Sequence, residues 1–257
     1  MSDAIPFVGA GPGDPRLITV AGREALEGAE LVVHAGSLVN GELLTTYCPE
    51  AEHVNSAERD LETIVSVMVE AHRDDRNVVR LHSGDPSIYG AILEQIDRLA
   101  EHGIDARIIP GVTAAFAASA TLGTQLTLPE VANHVVITRP QGRTLDPEDE
   151  HLSEFVQFGD TTTAVYLGTH AIRETMERLI EAGCDPTTPV AVVYHASWPD
   201  EDILRGTVAT IAERVEAAGH QASAVILIGE AVTGQGYDRS HLYAGWQMDK
   251  PGESADQ

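Results

Sequence analysis

The chain has 257 residues, a formal net charge of −24 and a hydrophobic fraction of 43%, which is enough for one large domain or two of ordinary size. Lys250 is the only lysine, and so acidic a chain is not expected to bind nucleic acid, which requires a basic surface. The longest mostly apolar stretch, residues 108–122, is interrupted by Pro110 and Gly111 and is too short to cross a bilayer, which argues against a membrane partner.

No basic and apolar leader precedes Ile5, and Cys48 and Cys184 lie far apart without a CxxC motif. The sequence therefore predicts a cytoplasmic protein with two reduced thiols. Acidic residues are dispersed along the whole chain and do not form one tail. This dispersal favours a host with molar salt in its cells, where the Debye length falls to about 3 Å. An acidic mesophilic protein is the alternative.

The first half of the chain alternates strands with amphipathic helices. Short apolar runs predict strands at 5–9, 30–34, 77–82 and 104–109. Between them, apolar residues at helical spacing predict helices at 60–73 and 88–102, and a small-residue helix follows at 112–122. Strands separated by helices pair in parallel through crossover connections. This half therefore predicts a parallel α/β sheet.

The second half continues the alternation with different spacing. Strands are predicted at 134–138, 161–167, 189–194 and 223–229, and the segment 202–206 is a candidate antiparallel strand. The sequence thus predicts two α/β domains with a cleft between them. We expect an N-terminal domain over residues 1–118, a C-terminal domain over 119–250, and a flexible polar tail over 251–257.

The first strand runs into a glycine-rich turn, Gly9-Ala10-Gly11-Pro12-Gly13-Asp14. Turns at the carboxyl edge of a parallel sheet are where open α/β folds bind ligands. A dinucleotide fingerprint requires a third glycine at position 14, where the chain has Asp14, and Pro12 lacks a backbone N–H for a pyrophosphate. The turn therefore suits a different ligand.

Two more turns follow strands of the same half, Ser83-Gly84-Asp85-Pro86 and Pro110-Gly111-Val112-Thr113-Ala114. Asp85 could cap a helix that begins near Ser87, with Pro86 in its first turn. Alternatively, Gly84 exposes backbone to a ligand, and Asp85 offers an anion to a cationic or hydroxyl-bearing group. Three such turns at one sheet edge favour a binding pocket over three independent helix caps.

Several other chemistries lack their parts. The eleven histidines form no H-x3-H or H-E-x-x-H motif, so no metal site is predicted. There is no G-x-S-x-G nucleophile elbow and no Gly-Lys-Ser/Thr phosphate loop. Hydrolysis through a serine nucleophile and phosphoryl transfer are therefore not expected.

The three turns together resemble the tetrapyrrole methylase family. The resemblance is carried by Gly9-Ala10-Gly11-Pro12-Gly13-Asp14-Pro15 with Leu17-Ile18-Thr19, by Ser83-Gly84-Asp85-Pro86 and by Pro110-Gly111-Val112-Thr113-Ala114, in the family's order and spacing. It covers about residues 5 to 230. It implies two α/β domains with the active site in the interdomain cleft, S-adenosyl-L-methionine as cofactor and a homodimer.

Finer motifs resemble one branch of that family, the precorrin-4 C11-methyltransferases. They are Leu81 to Gly90, Thr138-Arg139-Pro140-Gln141-Gly142-Arg143-Thr144 and Tyr194-His195-Ala196-Ser197-Trp198-Pro199-Asp200-Glu201. The resemblance implies methylation of C11 of precorrin-4 or of its cobalt form. The chain departs from the pattern at His34-Ala35-Gly36-Ser37, where an aspartate usually precedes the serine, and at His195, where lysine is common.

The resemblance also implies a set of contacts. In the first domain the cofactor would contact Pro12, Ser83, Gly84, Asp85, Ile88, Thr113 and Ala114, and in the second domain Leu167, Ala196 and Ala224. For Leu167 and Ala224, an ordinary strand position is an equal alternative. The carboxylates of the substrate require a local cationic rim, for which Arg139 and Arg143 are the candidates. Tyr89, Tyr194 and His195 could line the cleft.

A sulfonium methyl group is already activated, so alignment with a nucleophilic ring carbon is the main requirement. No catalytic acid or base is assigned from the sequence. Alternatives within the fold are methylation of another ring carbon of a precorrin or of uroporphyrinogen III, and a diphthine synthase. Two alternatives lie outside this fold family. One is a nicotinamide oxidoreductase, which Asp14 and the absence of an acidic residue at His34 argue against, and the other is a non-enzymatic tetrapyrrole carrier.

Overall fold

The computed structural model describes residues 4–140, 159–220 and 222–237. Its first half forms one five-stranded sheet with the order β3-β2-β4-β1-β5, in which every pair is parallel. The strands are β1 (Ala4–Gly9), β2 (Leu31–His34), β3 (Glu52–Asn55), β4 (Val78–His82) and β5 (Asp105–Ile109).

Helices cover this sheet, as its two buried faces require. They are α1 (Val20–Glu27), α2 (Gly41–Tyr47), α3 (Leu61–Arg73) and α4 (Ile92–Glu101). A fifth helix, α5 (Ala114–Leu122), follows β5. The helix α3 starts where the Asp60 carboxylate accepts a 2.8 Å hydrogen bond from the Thr63 amide, which is an N-cap. Its predicted apolar stripe is buried: Ile64, Val65, Met68 and Val69 pack in one core cluster with Ile5 and Phe7 of β1.

The second half forms a mixed sheet with the order β6-β7-β10-β8-β9. Only β6 and β7 pair in parallel; the other neighbours are antiparallel. The strands are β6 (His134–Thr138), β7 (Thr161–Val165), β8 (Pro189–Tyr194), β9 (Asp202–Thr207) and β10 (Ala224–Ile228). Two helices, α6 (Ile172–Glu181) and α7 (Ile211–Ala218), pack on one face, and α5 packs on the other.

The fold class predicted from the sequence is confirmed, with two α/β sheets and their helices. The short strand β3 was not predicted, because only Val54 of its four residues is buried and so short a pattern has no visible period. The helix predicted from residue 88 begins later, at Ile92. Tyr89 and Ala91 hold left-handed backbone, with φ of 55° and 46°, which interrupts a right-handed helix.

The domain boundary between residues 118 and 119 stays a prediction. The helix α5 spans it and packs its alanines against the second sheet, in a cluster that includes Ala164, Val193 and Leu227. The small side chains of α5 allow this close approach, which places the third turn of the first sheet directly beside the second sheet.

Candidate functional site

The three turns predicted from the sequence meet at the carboxyl edge of β4, β1 and β5. Gly11 and Gly84 exchange two backbone hydrogen bonds, with Gly11 N to Gly84 O at 3.2 Å and Gly84 N to Gly11 O at 2.9 Å. These bonds tie the turn after β1 to the turn after β4. Both glycines have positive φ, 77° and 62°, a conformation that most side chains disfavour.

The turn after β5 lies against the other two. A Cβ atom on Gly111 would come within 2.1 Å of the Gly84 carbonyl oxygen, and one on Gly9 within 2.6 Å of Gly111 Cα. Backbone atoms cannot move aside as a flexible side chain can. Glycine at these two positions is therefore what allows the three turns to pack into one surface.

Asp85 joins the same two turns and does not cap α4, as the sequence had suggested it could. One carboxylate oxygen accepts a 2.8 Å hydrogen bond from the Gly111 amide, and the other accepts bonds from the amide and hydroxyl of Ser87. Burial raises the pKa of Asp85, but the hydrogen bonds from Ser87 and Gly111 outweigh it and leave the pKa below its usual value. The Asp85 carboxylate thus holds the turn after β4 against the turn after β5.

Tyr166, which follows β7, connects the second sheet to the third turn. Its hydroxyl oxygen accepts a 2.8 Å hydrogen bond from the Ala115 amide and lies 2.7 Å from Thr113 Oγ1. The Ala115 amide is in the first turn of α5, where backbone N–H groups have no partner within the helix. Tyr166 thereby satisfies a helix terminus and fixes the distance between the two domains.

A second connection joins the segment after β8 to the first turn. Trp198 Nε1 donates a 2.8 Å hydrogen bond to the Pro12 carbonyl, and the Asp14 amide donates a 3.0 Å hydrogen bond to Ser197 Oγ. The Glu201 carboxylate holds this segment in place by accepting bonds from the Ser197 amide and from Thr121 of α5. The two domains are therefore clamped on both sides of the turn edge.

Between these two connections lies a cavity of about 380 Å³, within the size range of small-molecule sites. We call it the cleft. It is lined by Pro12, Ala35, Leu38, His82, Ser83, Gly84, Asp85, Ile88, Tyr89, Gly90, Thr113, Ala114, Tyr166, Leu167, Thr169, His170, Val193, His195, Ala196, Trp198, Ala222, Ser223, Ala224 and Val225. Both domains contribute to its walls, as predicted for an interdomain site.

The structure brings most of the proposed ligand residues to the cleft. All ten residues predicted to contact the cofactor line it: Pro12, Ser83, Gly84, Asp85, Ile88, Thr113, Ala114, Leu167, Ala196 and Ala224. Leu167 and His195 hold left-handed backbone there, with φ of 56° and 45°. Leu167 is not a strand residue, because β7 ends at Val165. The ligands that these positions bind remain a prediction.

The five residues predicted to contact the substrate have four different outcomes. Tyr89 and His195 line the cleft, whereas Tyr194 lies behind His195, with the two rings stacked at 3.8 Å between centroids. The Arg139 guanidinium lies 5.3 Å from the centre of the Tyr89 ring, in a cation–π contact at the rim. Arg143 lies outside the described residues.

His82 lines the cleft from the end of β4 and is 4% exposed. Its Nε2 is buried without a hydrogen-bond partner among the described residues. Burial, with a smaller contribution from the Arg80 charge, lowers the pKa of His82 from 6.5 to about 3. The imidazole is therefore neutral at physiological pH. An unpartnered buried nitrogen at a cavity wall is suited to a polar group of a ligand.

Among the lining residues that sequence reasoning missed are His82, Tyr166 and Trp198. His82 and Trp198 stand inside motifs that carried the resemblance, and Tyr166 directly precedes Leu167. The available signal was position at a strand end, since each residue ends or soon follows a strand of one of the two sheets. Their partners lie far away in the chain and have no local pattern.

No group of three or more histidine, cysteine, aspartate or glutamate side chains in the described ranges could hold a metal ion. No helix within those ranges is long and apolar enough to cross a membrane.

Comparison with known proteins agrees with this architecture. The family model for tetrapyrrole (corrin/porphyrin) methylases matches residues 4–212. A cobalt-precorrin-4 C(11)-methyltransferase from Methanocaldococcus jannaschii is 52% identical over 92% of this chain and 91% of that protein.

Solved structures lead to the same class. The structure of a cobalt precorrin-4 methyltransferase, a cobalamin biosynthetic enzyme, superimposes with a TM-score of 0.84 at 41% identity, over 90% of this chain and 96% of that one. A uroporphyrin-III C-methyl transferase from Thermus thermophilus, complexed with S-adenyl homocysteine, gives 0.74 at 28% identity over 89% and 93%.

Two α/β domains that enclose one cleft at the turn edge of a parallel sheet define a two-domain methyltransferase fold. The chain belongs to the tetrapyrrole (corrin/porphyrin) methylase family.

Proposed function

We propose that the protein is an S-adenosyl-L-methionine-dependent C-methyltransferase that methylates C11 of precorrin-4, with or without cobalt in the ring, in cobalamin biosynthesis. The observation that carries the proposal is the convergence of three glycine-containing turns and the second domain on one cleft of about 380 Å³. The identity of 52% with a cobalt-precorrin-4 C(11)-methyltransferase supports the ring position.

The residues of the cleft fit such a cofactor. Gly84 lines the cleft, and because it has no side chain its backbone can be approached closely by a ligand. The unpartnered His82 Nε2 can accept or donate a hydrogen bond. His82 is neutral because burial lowers its pKa, and it therefore does not repel a sulfonium cation. When bound, the cofactor supplies an electrophilic methyl group.

The protein's main contribution is alignment. Tyr166 and Trp198 hold the two domains at a fixed separation, so a ligand in the turns and a macrocycle in the cleft keep one relative orientation. Holding two reactants in a reactive geometry can lower a barrier by about 7–11 kcal/mol. No acidic or basic side chain is required for this part of the reaction.

We further propose that Arg139 contacts the carboxylates of the substrate at the rim, together with Arg143. Replacement of Arg139 by alanine is expected to weaken tetrapyrrole binding in calorimetry while the affinity for S-adenosylhomocysteine is unchanged. Arg214, an exposed arginine of α7, supplies the matched control as Arg214→Ala. Unchanged tetrapyrrole affinity in Arg139→Ala would refute this assignment.

Product analysis tests the reaction itself. The protein is incubated with S-adenosyl-L-methionine carrying a ¹³C-labelled methyl group and with precorrin-4, in metal-free and cobalt-bearing forms side by side. NMR of the product then locates the new methyl carbon. A signal at C11 supports the proposal, and the faster of the two substrates identifies the state of the ring.

A methyl group at another carbon, or turnover of uroporphyrinogen III only, would identify a different member of the same family. Binding of the tetrapyrrole without any affinity for S-adenosylhomocysteine would instead indicate a carrier.

Three finer properties complete the proposal: a homodimer, a cytoplasmic location and adaptation to concentrated salt. The edge strand β5 leaves Ile108 48% exposed, and Phe116 of α5 is 57% exposed, which supports an interface on this side of the first domain. Light scattering should give twice the chain mass, and Phe116→Asp should reduce the measured mass to that of one chain.

The net charge of −24 supports adaptation to salt. The melting temperature should rise between 0.1 and 2 M KCl, because salt screens the repulsion between acidic side chains.

A further inference from the structure

Four aromatic rings form a continuous stack at the wall of the cleft. Its order is His220, Tyr194, His195 and Trp198, with centroids 4.0, 3.8 and 4.5 Å apart and interplanar angles of 9°, 18° and 22°. The central Tyr194 thus has a histidine on each face. His195 itself lies between Tyr194 and Trp198, so its imidazole ring cannot turn freely.

Both histidines of the stack are paired with aspartates. His195 Nδ1 lies 2.9 and 3.0 Å from the two carboxylate oxygens of Asp200, and His220 Nε2 lies 2.8 Å from Asp202. A carboxylate accepts hydrogen bonds, so the ring nitrogen facing it carries the proton. In neutral His195 the proton is therefore on Nδ1, and Nε2 carries the free lone pair.

Only His195 of this pair lines the cleft. Its side chain is 16% exposed, whereas that of Asp200 is 62% exposed. No partner contacts Nε2 within the described residues. The Asp200 carboxylate thus orients an imidazole that lines the cleft, which is the arrangement expected of a general base.

The proposed reaction requires a proton acceptor. When C11 uses a conjugated electron pair to bond the methyl group, the S–C electron pair stays on sulfur and the ring system gains one positive charge. Loss of a proton from a ring N–H or a neighbouring C–H restores its charge. The broken bond leaves its electron pair in the conjugated ring, and the proton bonds to a base.

We infer that His195, oriented by Asp200, is the general base that takes this proton on Nε2; the inference rests on the proposed function. The imidazolium that results faces the Asp200 carboxylate, so charge is balanced within the pair.

The other titratable groups that line the cleft serve less well: His82, Asp85, Tyr89, Tyr166 and His170. Burial lowers the pKa of His82 to about 3, and hydrogen bonds hold the pKa of Asp85 low, so both are weak bases. Burial raises the pKa of Tyr89 and of Tyr166, so both stay protonated. His170 has no carboxylate partner among the described residues to orient it.

The groups around His195 are few. Asp200 contacts its Nδ1, Tyr194 and Trp198 cover its faces, and His220 with Asp202 lies behind Tyr194. The hydrogen bond from His195 lowers the pKa of Asp200, which keeps the carboxylate ionised. The Glu201 carboxylate is bonded to Ser197 and Thr121.

The test compares His195→Asn with His220→Asn. Asparagine tolerates the positive φ of position 195, and His220 shares the stack and an aspartate partner without reaching the cleft. Single-turnover methyl transfer is measured at saturating tetrapyrrole and over a range of pH, with whichever tetrapyrrole the wild-type protein methylates. We expect the rate of methyl transfer in His195→Asn to be about 10²- to 10⁴-fold lower than in the wild type. The decrease of the rate at low pH should also be absent from this variant. His220→Asn should keep both.

Two further readouts do not depend on turnover. Calorimetry should show S-adenosylhomocysteine affinity unchanged in His195→Asn. Nitrogen-15 NMR of the unliganded protein should show His195 protonated on Nδ1, and Asp200→Asn should abolish this preference and slow methyl transfer by roughly tenfold or more.

Wild-type rate and pH dependence in His195→Asn would overturn the inference, as would a loss that saturating tetrapyrrole fully restores. A wild-type protein that methylates no tetrapyrrole would instead contradict the proposed function, whatever the NMR result.

Discussion

The indole Nε1 of Trp198 donates a 2.8 Å hydrogen bond to the carbonyl oxygen of Pro12, across 186 positions of sequence. The same indole covers Gly13, where a side chain would collide with it. This contact closes one end of the cleft. It joins the second domain to the main chain of the turn after β1, so the shape of the cleft depends on how the two domains are held together.

Replacing Trp198 by phenylalanine should weaken ligand binding. The smaller ring can still stack on His195 but cannot donate to Pro12, and one hydrogen bond contributes roughly 0.5–1.5 kcal/mol. We expect S-adenosylhomocysteine affinity to fall about two- to tenfold in calorimetry. Wild-type affinity in Trp198→Phe would show that the contact does not hold the cleft in its binding form.

Gly13→Ala should disturb the same contact from the opposite side. A Cβ at Gly13 would lie 1.9 Å from Trp198 Cδ1 and 2.0 Å from its Nε1, so the indole must move. We expect weaker S-adenosylhomocysteine binding and a lower melting temperature. The control is Gly41→Ala, at the start of α2, where nothing lies within 4 Å.

A double variant distinguishes this collision from a general effect. Adding Trp198→Ala to Gly13→Ala removes the clashing ring, so the two effects should be strongly non-additive. Simple addition of the two losses would contradict the proposed collision.

Tyr166→Phe should destabilise the domain connection on the other side. Without the hydroxyl, the Ala115 amide and Thr113 Oγ1 lose their shared partner, and unsatisfied buried groups cost about 1–3 kcal/mol. The free energy of unfolding from urea titration should fall by that amount. An unchanged free energy would mean that another group replaces the hydroxyl.

His82 should make stability depend on pH. Its pKa is about 3 in the folded protein against an ordinary value of 6.5, so between these values the unfolded chain holds one more proton. The free energy of unfolding therefore rises with pH across this window, by up to about 1.4 kcal/mol per pH unit from this group. Lowering the pH from 6.5 towards 4 removes that stability.

The variant His82→Gln isolates this contribution. Urea titrations between pH 4 and 7 give the free energy of unfolding at each pH. Its slope against pH should be shallower in the variant than in the wild type by the equivalent of up to one proton, whatever the variant's overall stability. His102→Gln, at an exposed histidine that follows α4, is the matched control. Equal slopes in the wild type and His82→Gln would contradict a neutral buried imidazole.

The sequence predicted what short-range patterns can encode. The apolar period revealed α3, and glycine with proline marked the three turns, since those residues have strong local preferences. The start of α4 was wrong by four residues, because nothing in the sequence shows that Tyr89 and Ala91 adopt left-handed backbone.

Long-range relationships were out of reach for the same reason. The bonds of Trp198 to Pro12 and of Tyr166 to Ala115 join residues whose partners carry no pattern of their own. The double role of Asp85 was also hidden, because its second partner, the Gly111 amide, lies 26 positions further along the chain. Asp85 therefore looked like a helix cap.

The positive φ angles around the cleft have a thermodynamic consequence. Tyr89, Leu167, His195 and Ser223 all line the cleft in left-handed backbone without being glycine, which costs roughly 1–2 kcal/mol per residue. Packing and hydrogen bonds in the rest of the fold must offset this cost, so the backbone at the wall of the cleft is strained in the unliganded protein. Replacing Leu167 by glycine would relieve the backbone strain at that position but would let the segment adopt many conformations. The melting temperature would then rise, while the affinity for a ligand in the cleft would fall.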